Sequence, residues 1–240
     1  MNNMNNVLEC TICNKIVLNK EYWHIRCDKC QKDWMNEIKI ISNKVTIDNN
    51  YILYKNIKLL FPIEEVLNKS EQCWINFTGL TTERPNIIFN EINSIIKITP
   101  NMKILDIGCG CGELAIEFYI NFKKSIYYTG IDVIDLLLNI NKINMKEYSF
   151  INANNFILNN NFDIVMIMGY GNGFLNYIND IIKNKIKYVI LESHIGKNED
   201  FIEYNNKLIT NYDIIYNKIL KCGDNWALKE RRLVIYLRRI

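Results

Sequence analysis

The chain has 240 residues, enough for one full core and a small appendage, and its 29 basic against 26 acidic residues leave a formal charge of only +3. That balance gives no electrostatic reason to invoke nucleic acid or an anionic membrane as the partner. No apolar run approaches the roughly 20 residues that cross a bilayer, and Met1-Asn2-Asn3-Met4-Asn5-Asn6 lacks the basic and apolar regions of a secretion signal, so a cytoplasmic protein with no membrane partner is expected.

At the front, Cys10-x2-Cys13 and Cys27-x2-Cys30 set four thiols in two close pairs, the arrangement that a tetrahedral zinc ion requires. A reducing cytoplasm would not keep these thiols as disulfides, which favours metal; a redox pair is the alternative reading. Four sulfurs complete the coordination shell, so the zinc is expected to be structural, replacing a core that so short a module cannot build. His24 lies three residues before Cys27 and is a possible substitute ligand, although Trp23 and Trp34 on either side suggest a packing or surface role. Cys73, Cys109, Cys111 and Cys222 have no paired spacing and read as small buried residues. Next, Lys44 to Asp48 and Tyr51 to Tyr54 straddle an Asn-Asn turn and predict a hairpin. The zinc-binding module is taken as residues 1–55.

Residues 56–100 read as a linker or lid followed by a lead-in helix. Ile57 to Leu67 and Gln72 to Pro85 show few regular periods and hold Trp74, Phe77 and Arg84. From Asn86 to Ile98 apolar residues recur at helical spacing, with Pro100 as the stop beyond.

Residues 101–240 alternate: strand 103–107, helix 112–122, strand 126–131, helix 134–142, strands 148–152 and 162–168, helix 173–184, strand 187–192, helix 198–210. Such alternation predicts a doubly wound, Rossmann-like parallel sheet covered on both faces. Two β-rich runs, Tyr212 to Lys221 and Arg231 to Arg239, close the chain with no helix between them, as an antiparallel hairpin at the sheet edge. Arg231 and Arg232 precede the last strand, so one should point inward, where it could hold an anion; a surface ion pair is the favoured reading.

The first strand runs into Asp106-Ile107-Gly108-Cys109-Gly110-Cys111-Gly112. Three alternate glycines let backbone N–H groups approach a bound ligand where any Cβ would collide. Asp132 ends the next strand, placed to accept the hydroxyls of a ribose. A dinucleotide fingerprint would space its glycines Gly-x-Gly-x-x-Gly; here the spacing is Gly-x-Gly-x-Gly, preceded by Asp.

This pattern resembles the first motif of the class I S-adenosylmethionine-dependent methyltransferases, with Asp106, Gly108, Gly110 and Gly112 filling it without a gap. The resemblance covers residues 100 to 195 well. It implies S-adenosylmethionine as cofactor, held by these four residues with Cys109, Asp132, Val133 and Met168, and with Asn154 and Asn155 at the adenine. The family more often has Asp at the position of Asn154, where an Asx turn is the simpler reading. The resemblance also implies a reversed last strand, as the terminal hairpin suggests, and a lead-in segment that folds over the pocket as a lid.

Gly169-Tyr170-Gly171-Asn172 lacks the proline-rich motif of enzymes that methylate base amines, and no proline adjoins a cysteine as in those that methylate pyrimidine carbon. Both nucleic-acid subclasses lose weight. His194, beyond the fifth strand, is the candidate base, because an imidazole ordinarily titrates close to neutral pH, with Tyr170 and Glu192 for orientation or proton handling. The expected activity is methylation of a small metabolite such as a sugar, nucleotide-sugar or phosphorylated intermediate, with an oxygen acceptor favoured over a carbon, consistent with surface polysaccharide biosynthesis. Two alternatives stay open: an RNA methyltransferase whose zinc module grips tRNA or rRNA, and a scaffold that binds the cofactor without turnover.

Overall fold

A computed structural model of the chain describes residues 8–9, 16–17, 29–30, 32–33, 46–48, 50–62, 65–66, 84–169, 174–194, 198–222 and 230–240. The chain divides into two compact units, 1–46 and 47–240, whereas the sequence reading set its boundary at residue 55.

In the first unit β1 (Leu8–Glu9) pairs antiparallel with β2 (Ile16–Val17), Leu8 opposite Val17 and Glu9 opposite Ile16. Cys10 and Cys13 belong to the six residues joining these strands, and Cys30 lies buried in a helical stretch. Cys10, Cys13, Cys27, His24, Trp23 and Trp34 fall outside the described residues.

The second unit opens with a small sheet of β3 (Thr46–Asp48), β4 (Tyr51–Tyr54) and β5 (Ile57–Leu60), in that order. The expected hairpin therefore has a third strand, β5, where a linker was predicted. Its turn explains the miss: Lys55 and Asn56 both adopt positive φ, 45° and 65°, in a connection usually marked by glycine.

The main sheet has seven strands. These are β6 (Lys103–Ile107), β7 (Tyr127–Asp132), β8 (Ser149–Asn152), β9 (Ile164–Met168), β10 (Tyr188–His194), β11 (Tyr212–Lys221) and β12 (Glu230–Arg238). Their order is β11-β12-β10-β9-β6-β7-β8. Pairs from β10 to β8 are parallel, while β12 runs antiparallel to both β10 and β11. The reversed hairpin is present, with β12 set inside β11 and a register shift between Ile214 and Tyr216. Ile104, Leu105, Val165, Met166, Val189, Ile190, Val234 and Ile235 are fully buried, as continuous apolar strands covered on both faces must be.

Among the described residues five helices accompany the sheet: α1 (Arg84–Ile96), α2 (Glu113–Phe122), α3 (Asp135–Asn144), α4 (Leu175–Lys183) and α5 (Asn198–Leu208). Helix α1 starts two residues before the predicted Asn86, with Pro85 in its first turn where a missing N–H costs nothing. Its buried Ile88, Phe89, Ile92 and Ile96 form one stripe, and Phe89 meets Phe118 of α2 edge-on at 5.2 Å. It stops where Lys97 takes φ 55° and Asn93 Oδ1 accepts the Ile98 N–H. The small sheet is tied to these helices. Glu117 of α2, wholly buried, accepts from the Tyr54 hydroxyl and from Lys55 Nζ at 2.8 Å, and the Asn144 amide pairs with both backbone groups of Leu60. Among the described residues no helix is long and apolar enough to cross a membrane.

Candidate functional site

The strand order reverses at β6, with β7 and β8 on one side and β9 and β10 on the other. In open parallel sheets the crevice at such a reversal, beyond the carboxyl ends of the strands, is where ligands bind. The glycine turn occupies that position. Gly108 and Cys109 both donate to the Ile131 carbonyl, at 2.8 and 3.0 Å, and the Gly110 N–H donates to Asp132 Oδ2 at 3.0 Å. Asp132 Oδ1 accepts the Ile134 N–H at 3.0 Å. Each oxygen keeps a second lone pair, so half-buried Asp132 braces the turn and can still accept from a ligand hydroxyl.

Asn141 of α3 holds the turn from behind. It is wholly buried, and its Nδ2 donates to the Gly110 carbonyl at 2.9 Å. A Cβ on Gly112, whose φ is +73°, would stand 2.7 Å from Asn141 Oδ1. Gly130 of β7 meets the same need for space, since a Cβ there would lie 2.8 Å from Cys109 Sγ. Phe174 covers Gly108, its ring 2.9 Å from where a Cβ would be. Sequence reasoning missed Asn141, although a polar residue one helical turn after the buried Leu137 was the available signal.

Asp106 is 2% exposed. Its Oδ2 accepts the Tyr128 hydroxyl at 2.5 Å, while Oδ1 has no partner among the described residues. Burial pushes its carboxyl up to about 7; the Tyr128 hydroxyl opposes the rise, Glu113 and Asp132 add to it, and Arg84 opposes it.

Beside the turn sits a buried cluster of four charges. Arg84, the first residue of α1, donates from Nη1 to Glu113 Oε1 at 2.5 Å and from Nη2 to Glu192 Oε2 at 2.9 Å. Arg231 of β12 takes the other side of Glu192, through Nε to Oε1 and through Nη2 to Oε2 at 3.0 Å. Burial alone would raise the Glu192 carboxyl, but Arg231 and Arg84 outweigh it and hold it down at about 2. Glu192 is therefore held as an ionised anchor between the two arginines, which favours orientation over proton handling among the two roles expected for it. Arg231 is the inward arginine foreseen from strand alternation, but its ion pair is buried and not on the surface. Arg232 lies over the Phe201 ring at 4.6 Å. Cys109, Cys111 and Cys222 are buried as expected, and burial pushes the Cys222 thiol up to about 11.

The remaining predicted residues line the same edge. Val133, next to Asp132, is 63% exposed, unusual for an apolar side chain with a core nearby. Asn154 and Asn155 are exposed after β8, where the Asn154 N–H closes an Asx turn on Asn152 Oδ1 at 3.0 Å. Met168 ends β9, half-buried and paired in register with Glu192. His194 is the last residue of β10, opposite Arg231 in β12. Tyr170, Cys73, Trp74 and Phe77 lie outside the described residues. Among the described residues no group of three or more His, Cys, Asp or Glu side chains is arranged to hold a metal.

The model of the protein-L-isoaspartate(D-aspartate) O-methyltransferase family matches residues 79–174, a stretch that includes Arg84, the glycine turn and Asp132. No curated protein matches the chain. A solved protein from Thermoplasma acidophilum aligns over 65% of this chain and 85% of its own, at 15% identity and a TM-score of 0.52. A TehB-like SAM-dependent methyltransferase from Corynebacterium glutamicum aligns over 73% and 99%, at 15% identity and a TM-score of 0.50. TrmN from Thermus thermophilus aligns over 66% and 53%, at 12% identity and a TM-score of 0.50. These structures show a shared class I methyltransferase fold. The family match supports an S-adenosylmethionine-dependent methyltransferase.

Proposed function

We propose that this chain moves a methyl group from S-adenosylmethionine to an oxygen of a small metabolite, a sugar, nucleotide-sugar or phosphorylated intermediate. The observation that carries the reading is the hydrogen bond from Gly110 to Asp132, which sets a side-chain-free turn directly beside a carboxylate. One ligand can then lay its amino-acid end on the turn and its ribose on Asp132. The residues present fit such a ligand: Val133 offers an exposed apolar face for a base, and Asp106 Oδ1 is buried without a partner among the described residues.

When bound, the cofactor supplies an electrophilic methyl group on a sulfonium. The chain's part is mainly positioning, an effect of roughly several kcal/mol in favourable cases. Gly108, Cys109, Gly110 and Gly112 form the cradle, Asp132 accepts the ribose hydroxyls, and Val133, Asn154 and Asn155 border the base. Asp106 and Met168 border the reacting end. His194 takes the proton from the acceptor hydroxyl, Tyr170 orients that hydroxyl, and Glu192 holds the arginines in place. The oxygen acceptor agrees with the family match, an O-methyltransferase. A small acceptor agrees with the near-neutral balance of charge and with the engagement of Arg84 and Arg231 by buried glutamates.

In the first unit Cys10, Cys13, Cys27 and Cys30 hold a structural zinc. The β1–β2 pairing brackets the first cysteine pair and a helical stretch carries Cys30, which suits a four-thiolate site built from a hairpin and a helix.

The test is labelled S-adenosylmethionine incubated with purified protein and extract from the source cell, resolved into RNA and small-metabolite fractions. Label in the metabolite fraction is expected; label confined to RNA overturns the acceptor class. Binding of the cofactor with no labelled product in any fraction makes the chain a scaffold.

A further inference from the structure

On the reading above the cofactor takes one half of the carboxyl edge, from the glycine turn after β6 across to Asp132 after β7 and Asn154 beyond β8. The acceptor is then left the other half, where β9 runs into Gly169 beside β10. Gly169 takes a φ of +67°, and a glycine leaves its backbone free to move, so its partners decide where this turn stands. Its N–H donates to the Glu192 carbonyl at 2.6 Å and, as a shared bond, to Glu192 Oε2 at 3.3 Å. Arg231 Nη2 lies 4.0 Å from where a Cβ on Gly169 would be. Tyr170, assigned above to orient the acceptor hydroxyl, is the next residue in the chain.

The same carboxylate reaches back to the glycine turn. Cys111 Sγ donates to Glu113 Oε2 at 3.2 Å, and Glu113 Oε1 accepts from Arg84 Nη1 at 2.5 Å. Arg84 then donates from Nε to Glu192 Oε1 at 3.4 Å and from Nη2 to Glu192 Oε2 at 2.9 Å. Glu192 Oε2 is thus shared by Arg84, Arg231 and the Gly169 N–H. A guanidinium is rigid and planar, so a shift on its Glu113 side turns its Glu192 side. The path excludes water: Glu192 is wholly buried, and Arg84, Glu113 and Arg231 are 4%, 8% and 8% exposed. A displaced ionic contact there finds no solvent to replace it, and a close-packed surrounding passes the displacement on.

We propose that Glu113, Arg84 and Glu192 are positioning residues that carry occupancy of the glycine turn to the backbone of Gly169, so that a bound cofactor sets the acceptor side of the site. This rests on the cofactor reading above. The three act on the acceptor through the turn that borders it. By reciprocity, an acceptor that fixes Gly169 tightens cofactor binding by the same factor.

The experiment reads the Gly169 amide by itself. Met168-Gly169 is the one Met-Gly pair in the sequence, so methionine labelled at its carbonyl carbon together with glycine labelled at nitrogen isolates that signal by NMR. A sample labelled at glycine nitrogen alone shows Gly108, Gly110 and Gly112 as well. Wild type, Arg84→Lys and Glu113→Gln are each brought to saturation with S-adenosylhomocysteine. In wild type the turn's glycines and Gly169 should all move. Arg84→Lys keeps the charge but loses the planar fork, so its Gly169 displacement should fall to about half or less while the turn's glycines still respond. Glu113→Gln should do the same, and it decides the matter if Arg84→Lys does not fold. A Gly169 signal that stays still in wild type, or moves equally in either folded variant, would overturn the link and leave the cofactor reading standing. If none of the turn's glycines moves in wild type, the cofactor reading itself fails and takes this inference with it.

Discussion

Replacing Asp106 with Asn tests the electrostatic account of the glycine turn. In the fold its carboxyl is pushed from 3.8 to about 7, first by burial, so the folded chain holds a proton there that the unfolded chain has already released. A folded value above the unfolded one means that the group's contribution is fully present below about 3.8 and is lost as pH rises to about 7. At 1.36 kcal/mol per unit, a shift of roughly three units is about 4 kcal/mol, or about 1.4 kcal/mol for each pH unit inside that window. Asn keeps the shape and can still accept the Tyr128 hydroxyl, but it cannot ionise. The measurement is urea unfolding of both proteins from pH 4 to 8.5 at fixed ionic strength, followed by circular dichroism. Subtracting one stability curve from the other removes every other titrating group. The variant should gain on wild type steadily up to pH 7 and then level off. A flat difference would show that Asp106 is ionised throughout, and the raised titration assigned to it would be wrong.

Glu192→Gln should cost about 3–5 kcal/mol of stability, because it leaves Arg231 and Arg84 buried without their shared anion. The same pairing implies an acid limit: with the carboxyl held at about 2, its contribution is present above the ordinary value of 4.5 and is lost as pH falls from there toward 2. Acid unfolding of wild type should show that loss and the variant should lack it. Gly112→Ala places a Cβ 2.7 Å from Asn141 Oδ1 at a φ of +73°, and should cost about 1–3 kcal/mol of stability. Cofactor affinity should fall with it, by titration, and wild-type affinity in the variant would contradict the cradle. For the first unit, the purified chain should release zinc to a chelator, with Cys10→Ser and Cys30→Ser lowering metal content; a metal-free native protein would exclude the four-thiolate site.

Much of the main sheet was legible in the chain itself. Strand β6 coincides with its predicted range, the other strands and helices lie within a few residues of theirs, and the reversed hairpin is where two β-rich runs with no helix between them required it. These features follow from local rules, since apolar periodicity and turn chemistry act over a few residues. The glycine turn belongs to the same class, because the need for a backbone without Cβ is written in three adjacent alternate positions. Strand β5 escaped because its turn uses Lys55 and Asn56 at positive φ where the local rule expects glycine.

The charge states and partners of the site were decided by tertiary structure. Arg84 reads as part of a linker until folding brings it to Glu113, 29 positions away, and to Glu192, 108 positions away. Glu192 reads as a group for orientation or proton handling until Arg231 and Arg84 close on it, and Asp106 as an ordinary carboxylate until burial moves its titration. Spacing along a chain determines which backbone a segment adopts. The energy of a charge depends on what surrounds it, and those surroundings are assembled from residues that only the finished fold brings together.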